Sequence, residues 1–165
     1  MAQTLTLLTW PDYIDPRTLQ QFETELEVKV ELDIVPGGAE LIERMQAPRP
    51  GIDVLVPPDY AVRELNRQGR LLKLDHSKLP NLEHLKARFS RGRAHDPESL
   101  MSVVKDWGTT GFMYRSDRVE ETLESWADFW RAAENFSGCV TVLDSPGEVI
   151  GAALKMRVAT RVFRG

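Results

Sequence analysis

Two short segments of the chain each combine an aromatic ring with a carboxylate, beside proline. They are Trp10-Pro11-Asp12-Tyr13 and Pro57-Pro58-Asp59-Tyr60. An aromatic face attracts a cationic group, and a carboxylate gives that group a charge-assisted hydrogen bond. Each ring also has a structural interpretation: Trp10 could close the end of a core strand, and Tyr60 could pack at the start of a helix. A Trp beside Pro and Asp in a loop favours a ligand surface, whereas both interpretations stay open for Tyr13.

These segments follow predicted strands of an α/β fold. β-Branched and aliphatic runs predict strands at residues 4–10, 28–35 and 52–56. Helical spacing predicts a first helix capped by Asp15 and reaching Leu26, and two more at 40–45 and 60–68. This order, with short connections, predicts a doubly wound, mostly parallel sheet. Ligands of such sheets bind beyond the carboxyl ends of the strands, where both aromatic segments lie.

The remainder of the chain gives weaker signals. Residues 77–97 are predicted to form a basic loop, and the last helix is predicted to begin near Val149. A helix at 125–132 contains Trp126 and Trp130, which we assign, with Trp107, to packing. Further strands are predicted at residues 101–104, 112–114 and 140–143.

Charge and composition narrow the classes of function. The net charge is −4, with 11 acids and 4 bases in residues 1–60 but 7 acids and 12 bases in residues 61–118. The acidic first third could steer a cationic ligand towards the protein, although a solvated acidic face explains it as well. The basic segment lacks interleaved aromatics that stack bases, so we predict no nucleic-acid partner. No apolar run is long enough to span a bilayer, so we expect no direct membrane insertion.

The sequence shows no pattern typical of catalysis or metal binding. It contains no Gly-x-Ser-x-Gly nucleophile elbow, no phosphate loop and no metal motif, and its three histidines lack ligand spacing. The single cysteine, Cys139, lies in an apolar stretch, and we interpret it as a buried small hydrophobe. We therefore predict that the chain is not an enzyme, with no catalytic residue, no metal site and no cofactor.

Five blocks of sequence resemble the periplasmic spermidine/putrescine-binding proteins, the substrate-binding components of ABC transporters. They occur in that family's order and cover most of residues 4–155: TWPDYIDPRTLQQFE, DVLVPPDYAVRELNRQGRLLKLDHSKLPNLEHL, WGTTGFMYRSDRV, SWADFW and VLDSPGEVIGAALK. The resemblance implies a periplasmic-binding-protein-like fold of two α/β lobes that clamp a polyamine and deliver it to a membrane permease. It also implies a periplasmic location. The chain opens Met-Ala-Gln-Thr without a signal peptide, so we expect any leader to have been removed or to lie outside this sequence.

The resemblance assigns three aromatic residues to the ligand site. Trp10 and Tyr13 match the family's aromatic pair in the first loop, and Tyr60 matches the aromatic that follows the third strand. Asp59, beside Tyr60, is interpreted instead as a helix N-cap.

Three polar residues complete the predicted site. Glu148 matches the acid with which family members grip an amine, at the start of a second-lobe helix; without the family it would be a first-turn residue stabilised by the helix dipole. Asp12 lies where members vary and tune their choice of amine. Ser145 replaces a second carboxylate of some members. Lys105, near the predicted cleft, would disfavour a cation unless it points away, so another small amine stays open as the ligand.

The resemblance also divides the chain. It implies the first part of lobe one at residues 1–107, a hinge crossing at 108–111, the start of lobe two at 112–155 and an atypical tail with three arginines at 156–165. Because family members are considerably longer, the sequence predicts a fold truncated after the start of the second lobe. A sensor or regulatory ligand-binding domain of the same fold, or a non-functional fragment, stays open as an alternative.

Overall fold

The computed structural model of the chain describes residues 3–90 and 93–162. The chain divides into two units, Met1–Trp107 and Gly108–Gly165. The end of the arginine-bearing tail, residues 163–165, lies outside the described residues.

A three-stranded parallel sheet forms the centre of the first unit. Its strands are β1 (Gln3–Thr9), β2 (Val28–Ile34) and β3 (Val54–Leu55), in the order β2-β1-β3. β1 pairs with β2 from Gln3 opposite Val28 to Thr9 opposite Ile34. It pairs with β3 only at Leu7 and Leu8, so the third strand is shorter than predicted. The predicted α/β fold with a parallel sheet is confirmed.

Three helices connect and follow these strands: α1 (Pro16–Leu26), α2 (Gly38–Gln46) and α3 (Asp59–Arg67). The predicted cap of α1 is present, because the Asp15 carboxylate accepts a hydrogen bond from the Arg17 amide at 2.8 Å. Asp59 was predicted to cap α3, but Pro58 holds that position and Asp59 is the first helical residue. An acid there still interacts favourably with the positive end of the helix dipole.

The hydrophobic core of the first unit lies between the central strand and two helices. β1 contributes Leu8, α2 contributes Leu41 and Met45, and α3 contributes Ala61 and Leu65. Each fully buried leucine contributes about 1.5–3 kcal/mol relative to an exposed one. α1 contributes no fully buried residue. The core therefore fixes α2 and α3 most firmly against the sheet. The loops that lead into these helices are held in place with them.

Residues 77–90, the first part of the predicted loop, contain more regular secondary structure than predicted. Two short 3₁₀ helices and α4 lie there: His76–Lys78, Pro80–His84 and Ala87–Ser90. Asp75 caps the first of them through the Ser77 amide at 3.1 Å. The predicted strand at 101–104 is absent. The amides of Met101 and Ser102 donate hydrogen bonds to the Asp96 carboxylate instead of to a neighbouring strand.

Residues 108–162 of the second unit contain two helices, α5 (Trp126–Asn135) and α6 (Pro146–Val162). Residues 112–114 and 140–143 were predicted as strands but form none, because no strand of the described chain pairs with them. α6 begins earlier than predicted, since the Ser145 carbonyl already accepts the amides of Glu148 and Val149 at 3.1 Å each. It also continues through much of the tail that the sequence set apart.

Aromatic side chains pack together in the second unit. Phe129 contacts Trp126 and Trp130 edge-on, with ring centroids 5.5 and 5.1 Å apart. The packing role assigned to these tryptophans agrees with that geometry. Trp107, in contrast, is 58% exposed and so is not a core residue. Cys139 is also exposed, which corrects its interpretation as a buried hydrophobe: its apolar segment does not form a covered strand.

Candidate functional site

The carboxyl ends of the three parallel strands lie at one edge of the sheet. After β1 the chain crosses to β2 on one side, and after β2 it crosses back to β3 on the other, so the strand order reverses at β1. Such a reversal leaves a crevice at this edge, where ligands of doubly wound sheets bind. The Val56 amide bonds to the Leu8 carbonyl at 2.9 Å, so the loops after β1 and β3 leave the sheet side by side.

Trp10 and Tyr13 form an aromatic pair in the loop after β1. Their ring centroids are 6.4 Å apart and meet edge to face. Trp10 is half-buried and packs against the hydrophobic core, whereas Tyr13 is 43% exposed. The core therefore holds the first ring, and the second ring presents a face to solvent.

Asp12 lies between Trp10 and Tyr13 in the sequence and has a strained backbone conformation. Its φ is 56°, in the left-handed region that Asp tolerates better than most residues. Its side chain is exposed and has no hydrogen bond or ion pair with the described residues. The turn thus places a free carboxylate beside the aromatic pair. Sequence reasoning gave no sign of the left-handed turn.

Tyr60 approaches the backbone at Gly38, a contact that sequence reasoning missed. A Cβ added at Gly38 would collide with the Tyr60 hydroxyl and would also lie 3.3 Å from the Pro58 ring. Gly38 follows β2 and Tyr60 follows β3, and these strands flank β1 on opposite sides. Their contact therefore spans the carboxyl end of β1, where Trp10 begins its loop. Gly38 is needed here because only glycine allows this close approach.

Lys105 and Asp106 contact Tyr13 from a distant part of the sequence. The Lys105 ammonium lies 4.5 Å from the centre of the Tyr13 ring and 2.7 Å from the Asp106 carboxylate. The Tyr13 hydroxyl donates a long hydrogen bond of 3.4 Å to the same carboxylate. Lys105 thus points at a predicted ligand ring and not away from it. Asp106 was not among the predicted site residues.

Asp96 anchors the segment that leads to Lys105. Its carboxylate is buried and accepts hydrogen bonds from the amides of Leu100, Met101 and Ser102 and from the Ser102 hydroxyl, at 2.9–3.0 Å. Burial alone raises the pKa of Asp96, but the hydrogen bonds from Met101, Ser102 and Leu100 outweigh it, so the pKa lies below its ordinary value. The charged form is therefore the one that holds this segment in place.

The remaining predicted site residues, Ser145 and Glu148, lie in the second unit at the start of α6. Glu148 is in the first turn of the helix, and its exposed carboxylate has no hydrogen bond or ion pair with the described residues. The positive end of the helix dipole stabilises an acid at this position. A carboxylate that is stabilised by the backbone, yet has no side-chain partner, can still bind a cation.

The described site residues belong to no cluster that could hold a metal ion. Within residues 3–90 and 93–162, no group of three or more His, Cys, Asp or Glu side chains could hold a metal ion. A cavity of about 280 Å³ in the first unit is lined by other residues, among them His76, Phe89 and Val104.

A parallel α/β unit with aromatic and acidic side chains beyond its strand ends is typical of doubly wound ligand-binding proteins. The profile of the family described as bacterial extracellular solute-binding protein matches residues 18–159. The chain belongs to this family, whose members are transport solute-binding proteins.

Curated relatives have polyamine-related names. The chain is 34% identical over 161 residues to the putrescine-binding periplasmic protein SpuD of Pseudomonas aeruginosa, covering 91% of this chain and 44% of that protein. It is 29% identical over 154 residues to the spermidine/putrescine-binding periplasmic protein of Salmonella typhimurium, covering 92% and 43%. The chain therefore spans less than half the length of the relatives it matches.

Solved structures confirm the fold. The substrate-binding protein PotD of a spermidine/putrescine ABC transporter from Streptococcus pneumoniae superposes with a TM-score of 0.70 at 29% identity, covering 78% of this chain and 40% of that one. The PotD lipoprotein of Treponema pallidum gives a TM-score of 0.62 at 23% identity, covering 77% and 40%, and supports the fold alone. None of the helices in the described parts of the chain is long and apolar enough to cross a membrane.

Proposed function

We propose that this chain is the substrate-binding component of an ABC uptake system and that it binds a polyamine of the putrescine or spermidine type. The observation that best supports this is the ammonium of Lys105 on the face of Tyr13, because a primary amine already lies against an aromatic ring of the loop after β1. The names of the relatives in Pseudomonas and Salmonella agree with this ligand class.

Each predicted site residue has a role that suits a flexible chain with ammonium ends. Trp10, Tyr13 and Tyr60 offer aromatic faces to the methylenes and the cations. Asp12 and Glu148 offer carboxylates without a partner among the described residues, which can accept charge-assisted hydrogen bonds from an amine. Ser145 offers a neutral hydroxyl, which would bind an amine more weakly than the carboxylate of some family members.

The transport role requires more than the binding of a ligand. We propose a periplasmic location, a ligand held between two lobes, and docking of the closed form on a membrane permease. Closure of this kind needs two lobes and a hinge, for which residues 108–111 are the candidate first crossing. Because the chain spans 44% of SpuD, we expect it to bind amines more weakly than a relative of full length.

Titration calorimetry of the purified 165-residue chain tests the proposal. The ligands are putrescine, spermidine and spermine, and the control is 1,4-butanediol, which matches the putrescine backbone without its charges. We expect saturable binding of at least one amine and none of the diol. Trp10→Ala and Glu148→Ala should each weaken binding at least about tenfold, since each removes a ring or a carboxylate from a cation.

Two control variants separate site effects from general ones. Trp107→Ala removes an exposed tryptophan of the first unit, and Glu134→Ala removes a second exposed acid of the second unit. Both should bind like the parent chain. Binding that survives Trp10→Ala and Glu148→Ala would contradict the site assignment. If no amine binds under conditions in which full-length SpuD binds putrescine, the proposed ligand class fails for this chain.

A further inference from the structure

We propose that Tyr13 and Asp106 form an ammonium-binding subsite that Lys105 occupies in the free protein, so that Lys105 competes with a cationic ligand. This inference rests on the polyamine-binding function proposed above and deepens it by identifying a residue that sets the affinity for amines. It also adds Asp106 to the residues that contact the ligand.

The contacts of Lys105 are those that a ligand amine needs. Its ammonium lies 2.7 Å from the Asp106 carboxylate, within charge-assisted hydrogen-bond distance, and 4.5 Å from the centre of the Tyr13 ring. The Tyr13 hydroxyl and the Asp106 carboxylate lie 3.4 Å apart, so the ring and the acid face the same space. The Lys105 side chain ends in a primary ammonium on a methylene chain, as putrescine does, and this group fits between the Tyr13 ring and the Asp106 carboxylate.

Lys105 can be displaced from this subsite, because solvent reaches Lys105, Asp106 and Tyr13. The side chains of Lys105 and Asp106 are 41% and 47% exposed, and Tyr13 is 43% exposed. An exposed ion pair contributes little to stability, since water solvates both charges well. The lysine head group is attached through four flexible methylenes, so it can withdraw without moving the backbone. A dissolved amine can therefore take its place, in competition with a tethered copy of the same chemical group.

The competition makes Lys105 a determinant of affinity. Removing its charge frees both the ring and the carboxylate for the ligand. An exposed cation–π contact of this kind corresponds to about a two- to fivefold change in a dissociation constant. Loss of the lysine should therefore tighten amine binding by that factor.

Putrescine titrations of four variants of the 165-residue chain test the inference. Lys105→Met keeps the methylene bulk and removes the ammonium. Lys73→Met is the matched control, because it removes the charge of another exposed lysine in the first unit that has no partner among the described residues. The double variant Lys105→Met/Asp106→Asn removes the freed carboxylate as well. Lys105→Gln replaces Lys105→Met if circular dichroism shows that the methionine variant does not fold.

We expect Lys105→Met to bind putrescine about two- to fivefold more tightly than Lys73→Met, and the double variant to lose that gain. In the parent chain, proton NMR should show the Lys105 methylenes shifted upfield by the Tyr13 ring, and putrescine should abolish that shift. Equal affinity of Lys105→Met and Lys73→Met would overturn the inference and leave the proposed function intact. If no variant binds putrescine or another polyamine, the proposed function fails, and the inference that rests on it fails too.

Discussion

The carboxylates of this protein have different roles because their side chains have different partners. Asp12 and Glu148 are exposed, and within the described residues neither has an ion-pair partner, so both can bind a cation. Asp106 is paired with Lys105, so an added amine must first displace that lysine. Asp96 is buried among four donors and is therefore structural. Charge alone does not separate these roles; solvent access and local donors do.

Asp96→Asn should destabilise the first unit by about 1–3 kcal/mol at neutral pH. The amide replaces one acceptor oxygen with a donor, which then faces buried backbone amides that have lost their partner. Urea unfolding monitored by tryptophan fluorescence measures this loss. Ser102→Ala is the control, since it removes only one of the four donors and should cost about 0.5–1.5 kcal/mol.

The effect of Asp96 should depend on pH in a defined direction. Its pKa in the folded state lies below the ordinary value of 3.8, through hydrogen bonds that outweigh burial. Its stabilising contribution is thus complete above that ordinary value and is lost as the pH falls through the folded-state pKa. Unfolding titrations should show the parent and Asp96→Asn converging at acid pH. A stability difference that stays constant from pH 7 into that range would contradict the assignment.

At the scale of secondary structure, helix starts determine where the site residues lie. α2 begins at Gly38 beneath the Tyr60 hydroxyl, and α6 begins beside Ser145 and Glu148. α5 begins with a capping box in which Ser125 and Asp128 bond reciprocally, at 3.2 and 3.0 Å. Packing of α2 and α3 on the core therefore fixes one aromatic ring of the site, whereas a local capping box fixes the start of α5 in the second unit.

Gly38→Ala should displace the Tyr60 ring, because the new methyl group would collide with its hydroxyl. We expect a loss of stability of about 1–3 kcal/mol, the range for an overpacked contact. The loss should become smaller in a Tyr60→Ala background, where nothing occupies that space. Thermal unfolding of the parent, the two single variants and the double variant measures the energetic coupling between the two positions in a double-mutant cycle.

Gly37→Ala is the matched control for this cycle. A methyl group at Gly37 meets only the flexible Glu40 carboxylate at 2.6 Å, which can rotate away, so the cost should be small. If Gly38→Ala costs no more than Gly37→Ala, the close approach does not constrain Tyr60.

Ser125→Ala should destabilise the second unit by about 1 kcal/mol, since the amide of Asp128 loses its acceptor at the start of α5. The Ser125 hydrogen bond is also the largest cause of the lowered pKa of Asp128, so the variant should raise that pKa. Guanidinium unfolding and an NMR titration of Asp128 measure the two effects. Ser137→Ala, beyond the end of α5, should change neither, and equal effects of both variants would exclude a capping role.

At the scale of the whole molecule, each unit leaves apolar side chains in water. The second unit exposes Val142, Leu143, Ile150 and Leu154, each by more than half. Ile150 and Leu154 are four residues apart on α6 and so lie on one face of the helix. Contiguous exposed apolar surface of this kind drives association. The chain spans less than half of its curated relatives, so more than half of each relative has no counterpart in these units.

The exposed face of α6 should make the chain self-associate. Size-exclusion chromatography with light scattering should give a mass above 18.7 kDa that rises with concentration. Ile150→Lys should shift the mass towards the monomer, because a buried contact would then contain an unpaired charge. Leu72→Lys places a charge at an exposed leucine of the first unit and should leave the mass unchanged. A monomeric mass at all concentrations would show that this face of α6 does not mediate self-association.

Local chemistry determined the strands and helices of residues 3–67, and the sequence alone predicted them well. β-Branched and aliphatic runs with proline or glycine breaks identified three strands, and the order of elements predicted the parallel sheet, because these signals depend on near neighbours. The aromatic and acidic loops, with the family resemblance, identified six candidate residues. Their role in binding stays a prediction.

Tertiary structure alone decided the contacts that join distant residues. Tyr13 meets Asp106 across 93 positions, and Tyr60 meets Gly38 across the end of β1, and neither contact has a local signal. The missing strands and the exposed Cys139 have the same origin, since a β-branched run becomes a buried strand only when another strand pairs with it. Sequence pattern sets what a segment can form, and packing partners decide whether it forms and what it contacts.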